Sequence, residues 1–433
     1  MGYLIINGGK KLSGEVSAQG AKNAAVAVIS AAALASDMCI IENSPNIEDI
    51  TSLTSAMNDL GIKCRFADGN RLEIDPRNMK SHIATNESVT KIRASYYLIG
   101  VLLGKFRKAE VALPGGCNFG NRPIDQHIKG FKALGAEVFV ENGIVKAYAD
   151  DLVGANIYLD VVSVGATINI MLAAALAKGK TTIKNAAKEP HVVDTANLLN
   201  MMGAKIKGAG TDMIQITGVK ELKGVEYAII PDQIEAGTYM IAAAATGGDV
   251  TVRNIIPKHM EPLTAKLLEM DCEVHTGDDY LRVVGSDRLK GTNVKTKAYP
   301  GFPTDLQPQM TALLCVAEGT SIVTENIWDN RFQYVDELKR LGCNITVEGR
   351  VAVVKGGGKL TGAESHATDL RAGASLIIAA LAAEGRTVIG DVRFIDRGYE
   401  DIVGKLSALG ADIMRVSSKD EAGKIKFMRE IVS

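Results

Sequence analysis

The sequence predicts an α/β protein of two domains, each made of three β-α-β-α-β-β repeats around buried, parallel helices. Three observations carry this expectation. A helix-ending mark recurs at Asp59-Leu60-Gly61, Ala133-Leu134-Gly135, Met201-Met202-Gly203, Met270-Asp271, Arg340-Leu341-Gly342 and Ala408-Leu409-Gly410, at intervals of about 68 to 74 residues. Ahead of each mark lies an alanine-rich apolar stretch: 24–35, 95–103, 167–177, 236–246, 310–318 and 373–383. Between the two falls a short β-branched run, as at 181–184, 249–253, 320–324 and 387–389.

Each element has a physical reason. The first helix of a repeat is apolar nearly all round and must be buried, and alanine lets such helices approach closely. The second helix is half polar and belongs outside. Glycine at its end suits a C′ residue in the left-handed region, and only Asp271 departs from that pattern. A further strand follows the mark, as at 136–140 or 344–347. Repetition alone would also build a solenoid scaffold, but solenoid repeats are shorter, roughly 20–45 residues.

Composition narrows the class. The chain has 433 residues, 46% hydrophobic and 23% charged, enough for several globular cores. A net charge of −1 gives no reason to expect nucleic acid or an anionic membrane as partner. The six cysteines (Cys39, Cys64, Cys117, Cys272, Cys315, Cys343) have no Cys-x-x-Cys pairing and no metal-like spacing with histidine, so reduced thiols in the cytoplasm are expected. The N-terminus lacks a signal-peptide pattern, and apolar runs fall short of the roughly 20 residues a membrane span needs.

Unusual residues fall at two equivalent places. One is the entry to the buried helix: Lys22-Asn23, Arg93, Ser163-Val164-Gly165, Asp232 and Glu235, Asp305, then Asp369 and Arg371. The other is the loop before the outer helix, with Cys117 and Arg122, then Arg331, then Arg397. The stretch 113–122, Leu-Pro-Gly-Gly-Cys-Asn-Phe-Gly-Asn-Arg, puts a thiol near a guanidinium and the positive end of the following helix, which suits chemistry. An ordinary strand-to-helix loop would read the same way. Likewise Thr304-Asp305 and Thr368-Asp369 serve equally as helix starts. Recurrence at one topological point favours an anion-binding cleft where helix N-termini gather. His127 falls one turn into the helix after Arg122 and is placed to line the same cleft; the other histidines are isolated.

Several of these stretches are familiar together. Gly-Ala-Lys-Asn-Ala-Ala (20–25), Ile-Arg-Ala-Ser (92–95), Leu-Pro-Gly-Gly-Cys (113–117), Arg-Pro-Ile-Asp (122–125), Ser-Val-Gly-Ala-Thr (163–167), Phe-Pro-Thr-Asp (302–305), Thr-Asp-Leu-Arg (368–371) and Asp-Arg-Gly-Tyr-Glu (396–400) span nearly the whole chain. In them it resembles the UDP-N-acetylglucosamine 1-carboxyvinyltransferases, which open bacterial peptidoglycan (cell wall) synthesis. The resemblance implies the two-domain enolpyruvyl transferase fold, one domain of residues 22–229 and another of 1–21 plus 230–433. Hinges would lie near 21–22 and 229–231, and the cleft would close on substrate.

The resemblance also implies a reaction: the sugar 3′-hydroxyl attacks C2 of phosphoenolpyruvate, C3 takes a proton, and phosphate leaves. Cys117 is implied as the proton donor to C3, Asp305 as the base, and Asp369 as a second carboxylate. Lys22, Arg122 and Arg397 would hold phosphoenolpyruvate, with Arg371 near its carboxylate and Asn23 at both substrates. Arg93, the stretch Arg122, Pro123, Ile124, Asp125, Gln126, then Val162, Ser163, Val164, Gly165 and finally Ile327 would bind the nucleotide sugar. No cofactor, metal or obligate protein partner is expected, and the phosphonate epoxide fosfomycin would alkylate Cys117.

Three residues depart from the family pattern: Val161 for a frequent lysine, Tyr97 for tryptophan, and Gln126 for an aliphatic residue. They bear on nucleotide affinity and leave room for a second paralogue. The alternatives are a shikimate-pathway enolpyruvyl transferase, whose serine-rich lysine motif is absent here, and a silent repeat-type binding protein.

Overall fold

The computed structural model describes residues 2–113, 124–418 and 421. The second repeat shows the plan that the others follow. A short strand, Ile83–Ala84, pairs parallel with Lys108–Ala112 after the buried helix Tyr97–Phe106. The outer helix Asp125–Ala133 leads to Glu137–Glu141, which turns back into Ile144–Tyr148. That last strand inserts antiparallel beside Lys108–Ala112, so the sheet order is first, second, fourth, third. Six four-stranded sheets of this kind are present among the described residues.

Three of the sheets close by long-range pairing. Residues 20–113 and 124–230 form one compact unit, and residues 2–19 with 231–418 form the other. In the first unit the opening sheet takes its parallel strand from the far end, where Glu226–Ala228 pairs with Cys39–Glu42. In the second, Ser13–Ser17 pairs parallel with Asp249–Arg253, and Tyr3–Asn7 lies between Arg386–Gly390 and Asp412–Val416. Each unit thus holds three repeats.

The six apolar stretches are helices buried almost all round: Lys22–Ala32, Tyr97–Phe106, Val164–Ala174, Gln233–Ala245, Gln307–Val316 and Leu370–Ala382. Every residue from Ala24 to Ala32 is buried, including Ser30, whose hydroxyl donates back to the Val26 carbonyl. Truncating a side chain such as Ile29 there would cost about 2–5 kcal/mol. Small residues set the spacing. A Cβ on Gly100 would meet the Asn169 carbonyl oxygen at 2.4 Å, and the Gly100 amide donates to the Asn169 side chain at 2.8 Å.

The outer helices are one-sided; Glu48–Asp59 buries Ile50, Leu53, Ala56 and Met57. Their end marks all use the left-handed region, with φ between 91° and 109° at Gly61, Gly135, Gly203, Gly342 and Gly410. Asp271 holds the same conformation at φ 65°, so the repeat that lost its glycine kept the backbone, at the strain a short polar residue tolerates. Five of these helices begin two or three residues before the apolar stretches do, because their first turns carry polar groups, as at Lys22 and Arg371, whereas Tyr97–Phe106 begins behind the 3₁₀ turn Arg93–Tyr96. Among the described residues no helix is long and apolar enough to cross a membrane.

Candidate active site

In the unit formed by residues 2–19 and 231–418, three buried-helix starts share a cluster of charge. Asp232 caps Gln233–Ala245, accepting from Ile234 N at 2.7 Å and Glu235 N at 3.3 Å. Asp369 caps Leu370–Ala382 in the same way, accepting from Arg371 N at 2.8 Å and Ala372 N at 3.2 Å. Asp305 stands at the matching place, in the 3₁₀ turn Thr304–Leu306, and its carboxylate is engaged by arginine instead. Arg371 Nη2 donates to Asp305 Oδ2 at 3.0 Å, and Arg331 Nη2 lies 4.0 Å from Oδ1.

Exposure separates these groups. The Arg331 and Arg371 side chains are 3% and 5% exposed, whereas Asp305 is 30% exposed and reaches solvent. Arg331 also sits 3.8 Å from Asp369 Oδ1 and donates to the Thr304 carbonyl at 3.4 Å. Burial works against the Arg371 charge, but Asp305, Tyr399 and Asp232 more than offset it and raise its pKa above the ordinary arginine range. One guanidinium nitrogen, Nη1 of Arg371, is buried with no hydrogen-bond partner among the described residues. Arg397, half-buried, follows the short helix Arg393–Asp396. Ile327, 36% exposed, sits in a turn whose amides bind Glu325.

In the other unit the predicted residues also fall at helix starts. Lys22 opens Lys22–Ala32, and its ammonium lies 2.8 Å from Asp49 Oδ2, in the first turn of Glu48–Asp59. Asn23 is half-buried beside it in sequence. Ile124 and Asp125 lead into the helix that carries Gln126, whose buried amide accepts from Asp160 N at 2.9 Å and donates to Asp160 Oδ2 at 3.2 Å. Lys129 joins Asp160 Oδ1 at 2.6 Å, and with Gln126 it holds that carboxyl below the usual range. The exposed Val161 and Val162 follow. Ser163 then caps Val164–Ala174 by accepting from Ala166 N at 3.3 Å, with Val164 and Gly165 in the first turn.

His127 is buried, with Nδ1 3.0 Å from the Asn169 amide nitrogen. Burial holds its imidazole pKa down to about 4, so it packs as a neutral ring.

The sequence pattern of the EPSP synthase (3-phosphoshikimate 1-carboxyvinyltransferase) family matches residues 6–406. The chain is 58% identical over 417 residues to UDP-N-acetylglucosamine 1-carboxyvinyltransferase of Clostridium botulinum, covering 96% of this chain and 100% of that one. The chain belongs to this family of enolpyruvyl transferases. A Clostridium acetobutylicum relative named UDP-N-acetylglucosamine 1-carboxyvinyltransferase 2 is 57% identical over 416 residues, covering 96% of this chain and 99% of its own. Among solved structures, the enolpyruvyl transferase NikO from Streptomyces tendae superposes with a TM-score of 0.88 at 27% identity, over 96% of this chain and 99% of that one. EPSP synthase from Acinetobacter baumannii matches in fold, with a TM-score of 0.75 at 20% identity, over 96% of this chain and 100% of that one.

Of the residues expected in an enolpyruvyl transferase site, the structure brings Asp305, Asp369 and Arg371 together and sets Gln126 against Asp160. Cys117, Arg122 and Pro123 lie outside the described residues, as does the Arg93 side chain. No cluster suited to a metal ion occurs among the described residues. Three contacts were not anticipated: Asp49 at Lys22, Arg331 bridging the two aspartates, and Glu325 behind Ile327. Arg331 carried a signal, since it occupies the loop position that Arg122 and Arg397 hold in other repeats. Asp49 and Glu325 are single acids with no local pattern to mark them.

Proposed function

We propose that this chain transfers the enolpyruvyl group of phosphoenolpyruvate to the 3′-hydroxyl of UDP-N-acetylglucosamine, releasing phosphate, in the cytoplasm. The observation that carries the reading is 58% identity to a named enzyme of that activity across essentially the whole of both chains. The sugar oxygen adds to C2 as C3 gains a proton; phosphate then leaves C2 as C3 gives the proton up, and the double bond returns.

The residues have roles that fit this chemistry. Asp305, solvent-reaching and held by guanidinium, takes the hydroxyl proton, and Cys117 supplies the proton to C3. The unpaired Nη1 of Arg371 is a donor suited to the substrate carboxylate, while Lys22, Arg122 and Arg397 meet the remaining negative charge. Asn23 contacts both substrates. Asp369 and Asp305 favour the positive charge that develops at C2 in an oxocarbenium-like transition state. Arg93, residues 122–126, residues 162–165 and Ile327 hold the nucleotide sugar, and the domains hinge near 21–22 and 229–231.

The test is phosphate release from phosphoenolpyruvate with UDP-N-acetylglucosamine, run beside shikimate 3-phosphate. Release with the nucleotide sugar alone is expected. Release with shikimate 3-phosphate alone would overturn the reading in favour of the sister reaction, and release with neither would leave a binding protein.

A further inference from the structure

Glu325 is a wholly buried carboxylate, 0% exposed, at the end of the strand Thr320–Thr324. Burying an ionised carboxylate is costly unless donors replace its water. Four donors do so here. Oε1 accepts from the Ile327 amide at 2.8 Å, the Thr296 hydroxyl at 2.9 Å and the Trp328 amide at 3.2 Å. Oε2 accepts from the Thr304 hydroxyl at 3.0 Å. The acceptor capacity of a carboxylate is about four, so this one is filled.

The four donors come from three segments, and two of them border the proposed chemistry. Thr304 directly precedes Asp305, and its carbonyl accepts from Arg331, which also faces Asp305. Ile327 is the proposed contact to the nucleotide sugar. Thr296 is the third anchor: its hydroxyl accepts from Asn326 N at 2.8 Å and its carbonyl from the Asn326 side chain at 2.8 Å, which fixes the turn that presents Ile327. One side chain therefore sets the distance between the turn that carries the base and the turn that grips the acceptor.

We infer that Glu325 is a positioning residue for the transfer, holding the Thr304–Asp305 turn with one oxygen and the 326–328 turn with the other. The inference rests on the reading of Asp305 as base. Proton transfer from a hydroxyl depends steeply on the approach of the two oxygens, so loosening Thr304 should act on turnover more than on binding.

Replacing Glu325 by alanine would strand several buried donors and endanger folding, so the decisive variant is Thr304→Val, which keeps shape and removes one donor. Thr304→Val is expected to lower kcat by about 10- to 100-fold, with KM for UDP-N-acetylglucosamine within about twofold of wild type. Thr304→Ser, which restores the hydroxyl, should recover most of the loss. In Glu325→Gln the amide oxygen serves the three donors at Oε1 and the NH2 donates to the Thr304 oxygen, so the link persists without the charge and kcat should stay within about threefold of wild type.

A lowered melting temperature with unchanged kcat in Thr304→Val, or no recovery of kcat in Thr304→Ser, would make the network structural only and overturn the role. Wild-type turnover with UDP-N-acetylglucosamine, measured first, separates that failure from failure of the proposed function. An inactive wild type would remove both.

Discussion

The Arg371 guanidinium donates to the Asp305 carboxylate at 3.0 Å although the two residues belong to different repeats, 66 positions apart. Each opens or precedes a buried helix, and the pairing couples the two starts. It also explains why Asp305 does not cap its own helix as Asp232 and Asp369 cap theirs. The Asp305 carboxylate keeps 30% of its surface exposed, which leaves it open to a substrate.

Asp305→Asn keeps an acceptor for Arg371 and removes the proposed base. Turnover should fall by orders of magnitude while the melting temperature moves little. A variant that retains most of its activity and loses stability instead would show that the carboxylate is there for packing.

Asp369 caps its helix, and its proposed part in the reaction is separable from that cap. Asparagine caps as well as aspartate, whereas alanine at such a position costs about 0.5–2 kcal/mol. Asp369→Ala should therefore lower stability in urea unfolding by at least that amount, and Asp369→Asn, which keeps the cap and loses the charge facing Arg331, should lose less. If the negative charge assists the reaction, both variants should lose turnover. Full activity in Asp369→Asn would confine the residue to capping.

His127 gives a pH signature. Burial holds its folded pKa at about 4, against an Asp125 charge that acts to raise it, while an unfolded histidine titrates near 6.5. Between those values the unfolded chain binds more protons, so the contribution is full above about pH 6.5 and is lost as pH falls toward 4. Asp194 runs the other way. Burial, opposed by the Tyr227 hydroxyl, pushes its carboxyl up to about 6, which favours the fold on the acid side. Comparing wild type with His127→Gln isolates the histidine. Wild type should lose more stability than the variant between pH 7 and pH 5, and parallel losses would mean the ring is not held neutral.

The repeat architecture was legible because each unit must reverse the chain after its outer helix, and glycine marks that point five times in six. Asp271 shows the limit, since the backbone demand persisted where the residue type changed. Helix starts were read late because the first turns of the buried helices carry polar groups, which hide the apolar period. The pairing of Arg371 with Asp305 was not legible at all. Each has its own local explanation, and only the packing of one repeat against the next brings them together. Glu325 was silent for the same reason, since its partners Thr296, Thr304 and Ile327 lie in separate segments. The motif residues stood out through resemblance, not through any local physical pattern.

The last prediction concerns which thiol reacts. Among the described cysteines, burial raises the pKa of Cys39 and Cys272 and pushes Cys64 up to about 12. Cys315 is raised by the neighbouring Cys343 thiol together with burial, and both are buried. Since the thiolate is the nucleophile, four of these five are chemically quiet at neutral pH and the fifth, Cys343, is shielded. Cys117, in its glycine-rich stretch beside Arg122, is the proposed proton donor, and a donor of that kind needs a pKa near the working range. Fosfomycin should therefore add once, at Cys117, and faster with UDP-N-acetylglucosamine present. Cys117→Asp retains an acid and loses the sulfur, so it should turn over and resist the epoxide. Cys117→Ser, whose hydroxyl is too weak an acid, should be nearly inactive. Intact mass and peptide mapping read the result: an adduct at any of the other five cysteines, or an active enzyme left unlabelled at Cys117, would remove this thiol from the mechanism.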